Sequence, residues 1–132
     1  MNIGFDVHGT IDRFPIFFST LSRLWKQGDG GTPIGKVYVI TARVHSEERI
    51  IKECVKAGIV YDEIIRSDTI FANPADRARL IEELDIAIMF DDLPQYNVHF
   101  PASCLTFHVR NRGNFDFVNK KWLFPKWLAE LK

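Results

Sequence analysis

Residues 86–92 read IAIMFDD, five apolar residues that run straight into two carboxylates. A short apolar run followed at once by the turn-forming Leu93-Pro94 is the pattern of a strand buried on both faces. Such a strand needs helices above and below it, and the chain supplies them. "IGFDV" (3–7) is a second apolar run ending in acid, and "KVYVIT" (36–41) is rich in β-branched and aromatic residues. "YDEII" (61–65) and "CLTFHV" (104–109) complete a set of five expected strands.

Helical segments fall between them. Residues 15–27 open with Pro15 at the first helical position and place Phe17, Leu21, Leu24 and Trp25 on one face. Ser46 is an expected N-cap, Ile50, Ile51, Cys54 and Val55 form a stripe, and Gly58 ends that helix. Asn73-Pro74 reads as N-cap and N1 of a helix carrying Ala78, Ile81 and Leu84 inward. The tail "FVNKKWLFPKWLAELK" (117–132) is amphipathic, and its Trp122, Phe124, Trp127, Leu128 and Leu131 are expected to cap the core. Strands alternating with helices make an α/β fold, a three-layer Rossmann-like domain with a mostly parallel sheet of about five strands. At 132 residues a single domain spanning 1–132 is expected.

Composition narrows the function classes. The chain is 46% hydrophobic and 26% charged, as in a soluble globular protein, and its 17 basic and 17 acidic residues cancel. That balance argues against a large nucleic-acid surface; the one basic, aromatic stretch, "FHVRNRGNFD" (107–116), reads as a surface loop. No apolar run approaches the length of a membrane span, and the N-terminus lacks signal-peptide character, so a cytoplasmic protein without membrane partners is expected. Cys54 and Cys104 sit in apolar segments and are expected to be reduced and buried. The histidines His8, His45, His99 and His108 show no metal-ligand spacing.

In doubly wound sheets, ligands bind beyond the carboxyl ends of the strands. Asp6, Thr41, Asp91 and Asp92 all stand at such ends, so residues far apart in sequence converge on one rim. Carboxylates without an imidazole or thiolate cluster suit Mg²⁺. Asp6 can then serve as a nucleophile toward phosphorus, with Thr41, the turn at Gly9 and the helix-start cation Arg77 holding phosphate oxygens.

Three segments carry a family resemblance. "DVHGTID" (6–12) resembles the first motif, "VYVITAR" (37–43) the second and "IMFDDLP" (88–94) the fourth motif of the haloacid dehalogenase-like (HAD) superfamily, mostly Mg²⁺-dependent phosphatases with an Asp nucleophile. The resemblance spans about residues 2 to 110, and "VITAR" with "FDDLPQYN" is similar to the small capless nucleotidase-like members. It implies a phosphohydrolase of phosphate monoesters working through an aspartyl-phosphate. Asp6 would be nucleophile and metal ligand, with the His8 carbonyl and Asp91 as further ligands. Asp92 would be an outer acid of the metal site, and Thr41 would bind phosphate. The short span between the first two motifs implies no substantial cap, hence an open site that could admit a bulky or macromolecular phosphate or take a partner as lid; a small phosphorylated substrate is the expectation, and oligomerisation as a lid is possible but not indicated.

Two positions depart from the family pattern. His8 stands where the family has a second Asp that protonates the leaving group; imidazole is the commonest general acid–base, but its shape differs from a carboxylate. The third-motif Lys is missing, since no Lys occurs between Lys56 and Lys120. Arg77 is the expected stand-in, Arg79 the alternative, and Arg43 a further substrate contact. These departures keep two alternatives open: an impaired phosphate- and metal-binding module, and a phosphotransferase with a slowly hydrolysing phospho-enzyme.

Overall fold

The computed structural model describes residues 1–123. β1 (Asn2–Asp6), β2 (Val37–Ala42), β3 (Glu63–Ser67), β4 (Ile86–Asp91) and β5 (Leu105–His108) form one sheet in the order β3-β2-β1-β4-β5. All four pairings are parallel. α1 (Pro15–Gln27) and α2 (Glu47–Ala57) cover one face, where Phe18, Ile50 and Cys54 pack on Ile3, Phe5 and Val39. α3 (Asp76–Glu83) crosses back on the other face, where Ile81 packs on Tyr38, Ile40 and Met89. The chain therefore winds one way from β1 to β3 and the other way from β4. The switch point lies between β1 and β4, whose carboxyl ends carry the expected acids.

Local chemistry accounts for most boundaries. Ser46 Oγ accepts from Arg49 N and caps α2, and Gly58 closes it in the left-handed region at φ 73°. Along β4 the pairing with β1 shifts after Asn2↔Ile86, so that Ile3 faces Ile88 and Ala87 is the extra residue of a bulge. The bulge puts Ile86 and Met89 on one face and Ile88 with Phe90 on the other. Met89 in turn lies where a Cβ on Gly4 would come within 2.7 Å of its sulfur, so β1 carries glycine there.

Several sequence expectations need correction. α3 begins at Asp76, not at Pro74: Asn73 Oδ1 accepts from Ala75 N in a local turn, and Asp76 accepts from Asp68 N at 2.8 Å, fixing the start later. β3 lies two residues further along than expected. On α1, Phe17 and Leu24 are exposed, whereas Phe18, Ser19 and Ser22 are buried. The small serines let α1 approach the end of α2: Ser19 Oγ donates to Gly58 O, and Ser22 Oγ accepts from Val60 N. On α2, Ile51 and Val55 are likewise exposed.

Cys54 and Cys104 are free and buried. After β5 come the short helix-free turn at 109–114 and a two-residue antiparallel pair, β6 (Phe115–Asp116) and β7 (Lys121–Trp122). The helix α4 (Pro94–Asn97) follows the two acids of β4. Trp122 is half exposed; it stacks on His108 at 4.3 Å and meets the ring of the buried Phe115 edge-on at 4.9 Å. Phe124, Trp127, Leu128 and Leu131 lie outside the described residues. Among the described residues no helix is long and apolar enough to cross a membrane.

Candidate active site

β1 delivers Asp6 and β4 delivers Asp91 to adjacent positions on the rim, and Asp92 follows one residue later. Asp6, Asp91 and Asp92 each present a carboxylate oxygen, all within 4.8 Å of one another. Asp91 is fully buried and Asp6 nearly so. Burial, the Asp91 charge and the nearby Asp92 push the Asp6 carboxyl well above the usual carboxylate range, with Arg77 offsetting only part. Asp92 is pushed up to about 6, chiefly by burial and then by Asp91. The three acids thus hold more negative charge than their surroundings compensate.

Among the described residues, one cation pairs with them from the helical layer. Arg77, in the first turn of α3, is 1% exposed and is the largest fully buried side chain. Its Nη1 donates to Asp91 Oδ2 at 2.7 Å and to Asp6 Oδ1 at 3.1 Å, while Nε donates to Ser67 Oγ at 3.1 Å. Its guanidinium lies 3.9 Å from the centroid of the Tyr96 ring, presented by α4. Burial works against its charge, but Asp91 and Asp6 outweigh it and keep it protonated. Arg79 points elsewhere, pairing with Asp76 and Glu83 on the outer side of α3. Of the two stand-ins read from the sequence, Arg77 is the one at the acids.

The turn after β1, Val7–Ile11, winds as a distorted π-turn with Gly9 at φ 88°. A Cβ on Gly9 would come within 2.0 Å of Asp92 Oδ2, so glycine makes the room in which the third carboxylate sits. The Gly9 N–H donates to Asp12 Oδ1 at 2.7 Å and its carbonyl accepts from Asn111 Nδ2 at 2.7 Å. Asp12 is not part of the acidic cluster. Asp91 Oδ1 accepts from Leu93 N at 3.0 Å, which fixes the carboxylate before α4 begins.

A cavity of about 450 Å³ opens over these groups, lined among others by Asp6, His8, Thr41, Arg77, Asp92 and Tyr96. Thr41 stands at the end of β2 and is buried at its wall. Arg43 is not among the lining residues; it pairs with Asp68 at 3.0 Å. His8 lines the cavity with its Nε2 2.8 Å from Glu53 Oε2, an ion-pair distance without hydrogen-bond alignment. Its ring packs on His45 at 4.3 Å. Burial raises the Glu53 carboxyl, but His8 and Arg49 outweigh that and hold it below its ordinary range. Burial, then His8 and Arg49, lower His45. Glu53, His45, Tyr96 and Asn111 were not singled out from sequence; Glu53 lies three residues after the buried Ile50 on the same face of α2, the one signal that pointed to it.

The three acids fit a hard divalent cation. Their oxygens lie within 4.8 Å of one another, close to the roughly 4.2 Å across an octahedral shell at metal–oxygen distances of about 2.1 Å, and the uncompensated charge at Asp6 and Asp92 is what such an ion would neutralise. Among the described residues no other group of three acidic, histidine or cysteine side chains converges in this way. Comparisons with protein-family models, with curated proteins and with solved structures each returned no match.

Proposed function

We propose that the protein is a Mg²⁺-dependent phosphohydrolase of the HAD type, acting on a small phosphate monoester. The observation that carries this reading is the meeting of Asp6, Asp91 and Asp92 around Arg77 at the switch point of the sheet, beneath a cavity large enough for a small substrate. Asp6, Asp91 and Asp92 would hold the metal, with the His8 carbonyl as a further ligand. Bound there, the cation supplies neutralisation of phosphate charge.

Asp6 attacks phosphorus through its carboxylate; the ester P–O bond breaks and the alcohol leaves with a proton. Water then attacks the aspartyl-phosphate, releasing inorganic phosphate and regenerating Asp6. Arg77 and Thr41 bind phosphoryl oxygens, and Arg77 holds Asp6 in place through the same guanidinium. His8 carries the leaving-group proton. With Nε2 held against Glu53, its Nδ1 edge is the one left for that transfer. A second reading is a phosphotransferase whose phospho-enzyme hydrolyses slowly, favoured by the imidazole of His8 standing where the family has a carboxylate.

Turnover of an aryl phosphate with Mg²⁺, abolished in Asp6→Asn, is the expected result; absence of turnover with intact Mg²⁺ binding overturns the hydrolase reading. His8→Asp separates the two readings. A fall of ~10²-fold or more in rate marks His8 as a working acid–base, and a rise marks a chain tuned away from hydrolysis.

A further inference from the structure

A second cavity, of about 790 Å³, shares no lining residue with the acidic one. Arg13 and Phe14, just before α1, form one side; Arg110, Arg112, Phe115 and Phe117, from the segment around β6, form the other. The segment is built rigidly where it meets the first turn. Asn111 Nδ2 donates to Gly9 O, Asn114 Nδ2 donates to both Asp92 O and Val109 O, and a Cβ on Gly113 would lie 3.5 Å from the Arg13 guanidinium. Arg110 lies over the Phe115 ring at 4.5 Å and over Phe117 at 5.1 Å.

Charge here departs from the neutral average of the chain. Residues 110–123 together with Arg13 hold five cations, Arg13, Arg110, Arg112, Lys120 and Lys121, against one acid, Asp116. Among the described residues none of the five has a carboxylate within 4 Å. Asp116 already accepts from Val118 N, Asn119 N and Asn119 Nδ2. Guanidinium groups interleaved with phenylalanine faces match a ligand that alternates phosphates with planar rings. An acidic peptide would satisfy the arginines and leave the rings without a stacking partner.

We infer that this groove binds a nucleoside phosphate unit, with Arg13 and Arg112 on phosphate oxygens and Phe14 and Phe117 against the base. The inference does not rest on the phosphohydrolase reading, because the two cavities have no lining residue in common. The unit can come from a free mononucleotide or from a single strand, and one experiment separates the two. A fluorescein-labelled single-stranded oligonucleotide without terminal phosphates is titrated with the full chain in EDTA, by anisotropy, and then competed with adenosine monophosphate and with inorganic phosphate.

Binding is expected to weaken with salt at a log–log slope of roughly −1.4, for the contacts of Arg13 and Arg112 with the phosphates of a single strand. Phe117→Ala and the double variant Arg13→Ala/Arg112→Ala each lower affinity at least about tenfold, and Arg112→Lys keeps the salt slope. Displacement by adenosine monophosphate at its own concentration scale assigns the free nucleotide, and displacement by unlabelled strand alone assigns the strand. Arg13, Arg112 and Phe117 are exposed, and unchanged thermal unfolding of Phe117→Ala keeps the comparison valid should the double variant fail to fold. No binding of either ligand, displacement by inorganic phosphate as effective as by nucleotide, or binding undiminished in Phe117→Ala overturns the inference.

Discussion

Replacing Arg77 with methionine removes the one guanidinium that links both sides of the acidic rim while keeping an unbranched chain of similar length. Three hydrogen bonds go with it, to Asp91 Oδ2, Asp6 Oδ1 and Ser67 Oγ, and the fully buried Asp91 is left without a counter-charge. Removing one partner of a buried ion pair costs about 3–5 kcal/mol, a large share of the ~5–15 kcal/mol that holds a domain folded. At about 4 °C per kcal/mol for a chain of this size, the melting temperature should fall by roughly 12–20 °C. Denaturant unfolding with and without Mg²⁺ measures this directly. Arg77→Lys keeps the charge but lacks the fork that spans Asp6 and Asp91, and should recover only part of the loss. A loss below about 1 kcal/mol in Arg77→Met would refute the reasoning, because it would mean that the acids do not depend on this cation.

Gly9→Ala should destabilise the fold by about 1–2 kcal/mol for the left-handed backbone alone. It should weaken Mg²⁺ binding more than that strain explains, since the new methyl displaces Asp92; calorimetric titration and denaturant unfolding separate the two effects. Asp6 and Asp92 have folded-state pKa values above their unfolded ones, so the metal-free fold binds extra protons and loses stability as pH rises from about 4 through 6. Mg²⁺ should therefore raise the melting temperature more at pH 7.5 than at pH 5, and an equal or larger shift at pH 5 would contradict the charge argument.

The parts of this molecule legible in its sequence are those governed by short-range pattern. Apolar runs ending in acids located β1 and β4 and placed their carboxylates on one rim, because strand direction in a parallel sheet leaves them nowhere else. Ser46 and Gly58 bounded α2 through their own backbone chemistry. What escaped depends on contacts between distant segments. Ser19 and Ser22 are buried because α1 must come close to the end of α2, and no local periodicity in α1 carries that information. The bulge at Ala87 exists only relative to its pairing with β1. Glu53 became a neighbour of His8 through the crossover of α2 over the sheet, and Asn111 reached Gly9 across 102 residues. Arg77 was legible as a cation near a helix start, but the bridging of Asp6 and Asp91 by one nitrogen was not.

The account rests on Asp6, Asp91 and Asp92 acting together as ligands for one hard cation. Titration with Mn²⁺, followed by the loss of its free electron paramagnetic resonance signal, tests this most directly. One site per chain is predicted, competed by Mg²⁺ and lost in Asp6→Asn and Asp92→Asn. Failure of the folded protein to take up Mn²⁺, or uptake undiminished in both variants, would contradict it.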